Sequence, residues 1–425
     1  MANPITDADI SASTVPSTAP PEKLTPQLRR FFSFIVPVNI AIYLVIGAVP
    51  GVLLPLQVQG IDEANKAANL AIITGIGAVA AMIVSPIAGL ISDRTRSRFG
   101  RRAPWMLGGA IATGLALVGM GFANGVVQLV IAWTIVQITL NLVISPLTAL
   151  LPDRVPTAVR GLFATLSGIG MMVGALGGQV LGAAFAQNIQ AAYLVLPGIM
   201  IVVITLFVIL SPDASSKDRI NEPFSLVVFL KTFWVSPRRH PDFFWGFLSR
   251  LFLFTGYFTV TGYQLYILQD YIGLGDDAIG LVPVLGVVSL IGIVISTAFS
   301  GPLSDRIRRR KPFVMGASIV MAIAMLLPLA MPSVLGMIVF TALCGLGFGA
   351  YMAVDSALMS EVLPSEGTFA KDLGVLNIAA TLPQTIGPFL SGAIVVAFGY
   401  PALFPVGLVL AVLGALVVIP IKSVR

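Results

Sequence analysis

The chain has 425 residues, of which 57% are hydrophobic and only 10% are charged, and its formal net charge is +6. Soluble globular proteins carry about 25% charged residues, so this composition excludes an ordinary soluble domain and predicts a membrane protein. A single cysteine, Cys344, and a single histidine exclude a disulfide framework and the usual clustered zinc sites. We therefore expect neither a metal nor a cofactor.

The N-terminal residues 1–28 are rich in Ser, Thr, Pro and Ala in their first 25 positions. They lack the basic start and short apolar core of a cleavable signal peptide. We predict that this segment is a disordered tail.

Long apolar runs predict the fold. About 20 apolar residues are needed to cross about 30 Å of hydrocarbon, and the break at 331–333 is the weakest boundary between two runs. The sequence predicts an all-α membrane protein with twelve transmembrane helices, near 31–58, 68–91, 104–123, 126–150, 161–186, 190–210, 243–269, 278–303, 313–331, 333–360, 374–398 and 401–421.

The positive charges predict the orientation. If both termini are cytoplasmic, the segments on that side hold 23 of the 25 Lys and Arg residues, and only Lys66 and Arg250 fall elsewhere. This asymmetry is what the positive-inside rule requires. The basic charge therefore indicates orientation and contact with membrane lipids, and we expect no nucleic-acid partner.

The chain contains an internal repeat. The loop GLISDRTRSRFGRRAP at 89–104 matches GPLSDRIRRRKP at 301–312 in the register that aligns Gly89 with Gly301. The same register pairs Phe31-Phe32 with Phe243-Phe244 and Leu151-Pro152 with Leu363-Pro364. Three separate matches at half the chain length predict two pseudo-symmetric six-helix bundles.

The repeat also sets the expected domain boundaries. We predict an N-terminal bundle at 29–211, a cytoplasmic linker at 212–242 and a C-terminal bundle at 243–425. Within the linker, the apolar stretch 224–234 is too short to span and predicts an interfacial helix. A simple tether between the bundles is an equally good interpretation.

These residues resemble the major facilitator superfamily. The loop after the second span is similar to that superfamily's signature G-x-x-x-D-R-x-G-R-R in a lengthened form. Within the superfamily, 92–105 and 355–388 resemble the glycoside–pentoside–hexuronide cation symporters and the sucrose:proton symporters. The resemblance implies a substrate path between the two halves, opened by alternating access.

One position departs from that branch. Melibiose-type symporters carry coupling-cation aspartates in the second span, but the matching positions here are Ser85 and Ala81. The sodium site is therefore expected to be absent, which leaves proton coupling or no coupling.

Charged residues at the predicted cytoplasmic ends form a candidate gate. In the family the signature loops hold the halves in the outward-facing state, and the resemblance carries this role to matching positions. Setting the topology is the alternative role for these charges, although it does not require the repeated aspartates. The predicted gate residues are Asp93, Arg94, Arg98, Arg101, Arg102, Asp153, Arg160, Asp305 and Arg306.

Two ionisable residues stand inside spans. Arg250 in span 7 and Asp355 in span 10 lie at a similar depth, about 11–12 Å from the cytoplasmic end at 1.5 Å per residue. We predict that they pair and face the aqueous cavity, with Asp355 as proton acceptor and Arg250 as its partner, because intramembrane charges are usually functional. A permanent salt bridge between the two spans is the structural alternative.

Polar and aromatic residues follow one face of several spans at helical spacing. Amides exchange hydrogen bonds with hydroxyl groups and a ring such as Trp133 can stack on a sugar, so these faces predict a site for a polyhydroxylated ligand. Alternatively, the side chains bridge helices. The candidate substrate-binding residues are Asn39, Tyr43, Trp133, Gln137, Asn141, Tyr257, Gln264, Tyr351, Asn377, Thr381 and Gln384.

Four glycines at four-residue spacing, Gly170 to Gly182, mark span 5. We interpret this stripe as a surface for close helix packing. The antiporter signature of the superfamily lies in the same span, but here it is degenerate and lacks its proline, which weakens an interpretation as an exporter.

The leading functional hypothesis is a proton-coupled symporter for a sugar or glycoside, expected as a monomer in the plasma membrane. The alternatives are a proton-driven exporter of drugs or metabolites, and a membrane receptor or scaffold without transport activity. No nucleophile–base set or phosphate-binding loop is present in the sequence, so an enzyme is not predicted.

Overall fold

The computed structural model of the chain describes residues 25–213, 215–217, 238, 240–307, 309–362 and 369–421, without the side chains of 27, 157, 356, 357 and 360–381. The predicted interfacial helix at 224–234 and most of the predicted N-terminal tail lie outside this description. The first helix begins at Pro26, where the Thr25 hydroxyl accepts a hydrogen bond from the Leu28 amide and so caps the helix.

The described part of the chain is built from helices and contains no strand, which confirms the predicted fold class. Among the described residues, ten helices are long and apolar enough to cross a membrane, and shorter apolar stretches at Leu382–Phe398 and Tyr400–Leu416 occupy the positions of spans 11 and 12. The helices are α1 Pro26–Ala48, α2 Lys66–Arg94, α3 Ala103–Gly121, α4 Val126–Arg154, α5 Arg160–Ala184, α6 Ile189–Leu210, α7 Pro241–Thr261, α8 Ala278–Ile307, α9 Lys311–Ala324, α10 Val334–Val362, α11 Phe369–Phe398 and α12 Leu403–Leu416.

The first helix of each half, α1 and α7, is interrupted at an equivalent position of the repeat. After α1 the chain continues through a π-helical turn, Val49–Leu53, into the helix Leu54–Ile61. After α7 it breaks at Gly262, and a short turn leads into a second π-helical segment, Ile267–Tyr271. In the register of the repeat, residues 49–53 correspond to 261–265, the range that contains the break at Gly262. Pro50 lacks an amide hydrogen for the α-helical ladder, which accounts for the first one.

Helix packing repeats the internal symmetry of the sequence. In the N-terminal half, α1 packs on α5 and α6, α2 on α4, and α3 on α4 and α6. In the C-terminal half, α7 packs on α11 and α12, α8 on α10, and α9 on α10 and α12. Each pair in one half thus has its counterpart six helices later. The two halves meet where α2 packs on α11 and α5 packs on α8, which are also equivalent pairs.

The glycine stripe of α5 packs directly against α1, as predicted. A β-carbon placed on Gly178 would lie 2.3 Å from the Leu44 carbonyl oxygen, and one on Gly174 would lie 2.6 Å from the Ile40 carbonyl oxygen. No side chain fits between backbones this close, so glycine is required here. The stripe lets two helices associate without a hydrophobic driving force, which lipid cannot supply.

We predict that Gly178→Ala lowers the stability of the protein by about 1–3 kcal/mol, because the added methyl group overpacks the α1–α5 contact. Gly198→Ala in α6 is the matched control, since a β-carbon there meets nothing within 4 Å. Thermal unfolding of the purified protein in detergent measures both. Equal melting temperatures for the two variants would contradict this account of the contact.

Candidate functional site

Arg102 is the centre of a charge cluster where α2, α3 and α4 meet. Its side chain is 4% exposed; Nε donates to Asp153 Oδ2 at 3.0 Å and Nη1 donates to Ser92 Oγ at 3.1 Å. Nη2 contacts both Asp93 and Asp153. Arg101 joins the same two carboxylates, at 3.4 Å to Asp93 and 2.5 Å to Asp153. Four of the predicted gate residues therefore form one network, the Arg102 cluster.

The start of the linker after α6 holds the loop that carries Arg102. Ser216 donates its amide to the Ser97 carbonyl and its hydroxyl to the Thr95 carbonyl, at 3.0 and 2.9 Å. Asp213 accepts from the Arg102 amide at 3.4 Å. Gly100 turns the loop with a φ of +83°, and a β-carbon there would collide with Asp213. No pattern in the sequence indicated these contacts.

Three other predicted gate residues, Arg98, Arg160 and Asp305, contact groups that do not belong to the Arg102 cluster. Arg160 donates from Nε to the Val155 carbonyl at 3.2 Å, and Arg98 stacks over the ring of Phe99. In the C-terminal half, Asp305 is 72% exposed and lies 3.8 Å from Arg310. Arg94 and Arg306 are at the ends of α2 and α8. The repeated aspartates thus differ: Asp93 is 50% exposed and contacts Arg101 and Arg102, whereas Asp305 is 72% exposed and contacts Arg310 at a longer distance.

Arg250 and Asp355 form the predicted pair between α7 and α10. Arg250 Nε lies 3.3 Å from Asp355 Oδ2, and the side chains are 12% and 2% exposed. The guanidinium also lies over the ring of Phe254, 5.4 Å from its centre. In this state the pair is enclosed in the C-terminal bundle and does not lie on an open cavity wall. It does not face lipid either.

Ser85 occupies the position of the coupling-cation aspartate in melibiose-type symporters, and here it joins two helices. Ser145 of α4 donates its hydroxyl to the Ser85 carbonyl at 2.9 Å, and the two hydroxyl oxygens are 3.4 Å apart. The position of the coupling-cation aspartate is therefore occupied by two neutral hydroxyl groups, which contact each other. Neither of these two residues provides a carboxylate for a sodium ion.

In the N-terminal half, the candidate substrate residues lie at helix contacts. Asn39 donates to the Ile35 carbonyl at 2.8 Å, and Asn141 donates to the Gln137 carbonyl at 2.9 Å. Trp133 is buried against Gly77 of α2, beside Gln137, and its indole nitrogen has no hydrogen-bond partner among the described residues. Tyr43 is half-buried next to Gly174. Of these side chains, Trp133 has an unused donor.

In the C-terminal half, Tyr257 stacks on Phe348, with ring centres 4.5 Å apart and planes at 20°. Tyr351 is fully buried one turn before Asp355, with its ring 5.8 Å from that of Phe254. Gln384 is exposed on α11. The side chains of Asn377 and Thr381 lie outside the described part of the chain. The aromatic residues thus surround the Arg250–Asp355 pair and the helix face next to it.

The two halves contact each other at the end opposite the Arg102 cluster. Lys66 Nζ lies 2.9 Å from Asp270 Oδ1. The hydroxyls of Tyr263 and Tyr266 donate to the carbonyls of Ala67 and Pro55, at 2.7 and 2.8 Å. Sequence reasoning missed all of these residues. The available signal was that Lys66 is the one predicted outer-side cation among 25 Lys and Arg residues.

A small cavity lies beside this contact, between the two interrupted helices. Its volume is about 40 Å³. Predicted residue Gln264 lines it, together with Gln179 of α5, whose Oε1 is buried and has no partner in the described part of the chain. A cavity of this size holds water or a single hydroxyl group, not a whole sugar. In this state the path between the halves is therefore closed at this end.

The Sucrose transport protein SUC4 of Arabidopsis thaliana is 26% identical to this chain over 388 residues, which is 74% of this chain and 75% of that protein. Among solved structures, the nucleoside transporter NupG aligns with a TM-score of 0.74 at 11% identity, covering 92% of this chain and 98% of that one. A D-xylose–proton symporter aligns with a TM-score of 0.69 at 17% identity, covering 94% and 98%. These proteins are all transporters, which agrees with a transport role and not an enzymatic one.

The family model described as Major Facilitator Superfamily matches residues 31–298 and 247–424. The two matches together cover both halves of the duplicated bundle, from α1 through α12. The twelve-helix fold, the internal repeat and the packing of α2 on α11 and of α5 on α8 agree with this match. The chain is a multi-pass integral membrane protein and belongs to the major facilitator superfamily.

Proposed function

We propose that this transporter carries a sugar or glycoside together with protons, by alternating access across the plasma membrane. In this proposal both termini and the Arg102 cluster are cytoplasmic, since the arginine-rich loops follow the positive-inside rule. The halves then touch at the extracellular end, and the structure corresponds to an inward-facing state. The observation that carries the proposal is the buried Arg250–Asp355 pair.

The pair is suited to proton coupling because of its location. A carboxylate buried in an apolar bundle is stable when it is ion-paired or when it is protonated and neutral. Movement between α7 and α10 that separates Arg250 from Asp355 would favour uptake of a proton by Asp355. The hydroxyl pair Ser85–Ser145, in place of a carboxylate, supports a proton rather than sodium as the coupling ion.

The distribution of charge supports a neutral substrate. Among the described residues, the cations placed within helices away from the arginine-rich end are Arg250 and Lys66, and both already have a carboxylate partner at 3.3 and 2.9 Å. An organic anion would have to displace one of these partners. A polyhydroxylated neutral molecule needs only amides, hydroxyls and aromatic faces such as Tyr257. The relationship to a sucrose transport protein points in the same direction.

The Arg102 cluster is the proposed cytoplasmic gate. Its contacts lie within the N-terminal half in this state, and they do not involve Asp305 or Arg306 of the C-terminal loop. When the cytoplasmic ends approach each other, the cluster can present an ordered, charged surface to the opposing half. Because Arg102 is 4% exposed and contacts Asp93, Asp153 and Ser92 together, the cluster is a rigid element that moves as a unit.

Uptake by proteoliposomes tests the proposed function. With an inward proton gradient, labelled sucrose or another disaccharide should accumulate above its external concentration, and dissipating the gradient should abolish the accumulation. Protein-free vesicles are the control. Proton-driven extrusion of the solute, with no uptake under the same gradient, would support the exporter hypothesis instead.

We predict that Asp355→Asn reduces accumulation driven by the proton gradient at least about tenfold, because the neutral amide cannot take up the coupling proton. Exchange of labelled for unlabelled substrate at equal concentrations should persist, since it requires no net proton movement. Glu63→Gln, at an exposed acid in the loop before α2, is the control variant. Accumulation by Asp355→Asn with an unchanged dependence on pH would show that the residue is structural.

For the gate, we predict that Asp93→Asn lowers the initial rate of transport about fivefold or more, since it weakens a charge-assisted contact with Arg102. The amount of protein in the membrane should be unchanged. Asp305→Asn is the matched control at the equivalent position of the repeat, where the carboxylate is 72% exposed and the effect should be smaller. Normal transport by Asp93→Asn would exclude the gating role.

A further inference from the structure

At the end opposite the Arg102 cluster, the polar contacts between the halves described above lie on one of the two pseudo-symmetric sides of the interface. We propose that Asp270 and the tyrosines of 263–270, which follow α7, form a latch that binds Lys66 and the backbone of the N-terminal half and holds this end of the transporter closed. Lys66 and Asp270 are its principal pair. This inference rests on the proposed transport cycle for its functional meaning, but the contact itself does not depend on the substrate.

The latch combines three kinds of contact. Lys66 and Asp270 come from opposite halves of the chain and form an ion pair of 2.9 Å, with side chains 10% and 36% exposed. The Lys66 ammonium lies 5.0 Å from the centre of the Tyr266 ring, a cation–π contact. Tyr263 and Tyr266 donate to carbonyls of the N-terminal half. The ammonium is thus enclosed by groups of the opposite half.

Within its own loop, all of which the structure describes, Lys66 has no rival partner. Asp62, four residues earlier, accepts hydrogen bonds from Asn65 and Asn69. Hydrogen bonds from the Asn65 side chain, the Asn65 backbone amide and the Asn69 side chain hold the pKa of Asp62 below its usual value. Asp62 therefore stabilises the turn before α2 through these hydrogen bonds. The charge of Lys66 is balanced across the interface by Asp270.

The internal repeat shows that this contact is not inherited from the duplicated fold. In the register that aligns Gly89 with Gly301, Lys66 and Asp270 correspond to Ala278 and Val58. Both of these are fully buried and apolar. The tyrosine positions correspond to Gly51 and Leu54. The equivalent positions in the other half of the repeat thus carry none of the charged or phenolic side chains of the latch. The latch is therefore present on one side of the interface only at these positions.

The asymmetry gives the latch a defined effect. Both sides of the interface must separate when the end opens, but among the described residues an ion pair has to break only on the side of Lys66 and Asp270. A contact present in one conformation and absent in the other shifts the equilibrium toward the first by its full interaction free energy. Coupling free energies of this kind change populations by about 5- to 150-fold.

Distances between spin labels at this end test the latch. Cys344 is the one cysteine of the chain, so Cys344→Ser gives a background for Asn124→Cys in the α3–α4 loop and Asp276→Cys in the α7–α8 loop, both exposed. Double electron–electron resonance in lipid nanodiscs then reports the populations with this end closed and open. Neither label site takes part in the latch, and no substrate or membrane orientation is required.

In this background, Lys66→Met and Asp270→Asn should each raise the ratio of open to closed molecules at least about fivefold. The double variant should have no larger effect than Lys66→Met, because both substitutions remove the same ion pair and only Lys66→Met also removes the cation–π contact with Tyr266. Glu63→Gln, which changes an exposed acid of the same loop, should leave the ratio unchanged. Tyr266→Phe should raise the ratio by less, since it removes one hydrogen bond and keeps the ring.

Two results would overturn the latch. One is a ratio of open to closed molecules that stays unchanged in Lys66→Met and Asp270→Asn, when both variants have the melting temperature of the parent protein. The other is an additive effect in the double variant, which would mean that the residues act independently. If vesicles fail to accumulate sugar while the distances shift as expected, the substrate assignment fails and the latch is retained.

Discussion

The cost of placing charge in an apolar surrounding determines how this protein is organised. Lipid offers no hydrogen bonds, so each ion within the bundle requires a partner supplied by the protein. Arg250 has Asp355 and Lys66 has Asp270, and at the helix ends Arg102 has two carboxylates and a serine. The pairs are placed at different depths and on different interfaces. Because a pair can be made in one arrangement of the helices and broken in another, the same constraint that satisfies charges also defines conformational states.

These pairs separate into contacts within a half and contacts between halves. The Arg102 cluster and the Arg250–Asp355 pair lie inside one bundle each, and the second separates only when α7 and α10 shift relative to each other. The Lys66–Asp270 pair joins the bundles and exists only when one end is closed. The glycine stripe of α5 belongs to the first group, since its backbone contact with α1 keeps the N-terminal bundle rigid. Rigid halves joined by a few breakable contacts are what rocking between two states requires.

Much of the architecture could be predicted from hydropathy and the repeat. The twelve spans, the weak break before α10 and the close packing at Gly170 to Gly182 follow from helix length, loop charge and four-residue spacing. The Arg250–Asp355 pair was also predictable, since two isolated charges at equal depth in neighbouring spans have few other ways to be neutralised. The polar residues were harder to assign. Asn39 and Asn141 bond to their own helices and Trp133 packs on Gly77, and helical spacing cannot distinguish a face toward a neighbouring helix from a face toward the substrate path.

The amino-acid sequence by itself determined the fold class, the duplication, the expected orientation and the identity of the charges that need partners, because these depend on local composition and on the register of a repeat along the chain. Only the tertiary structure decided which partners they take. Asp213 and Ser216 reach the Arg102 loop from beyond α6, and Asp270 reaches Lys66 from the other half of the chain. Such pairings depend on how distant helices and the two bundles are placed relative to each other. That placement is set by the sum of many helix contacts and leaves no periodic signal in the sequence.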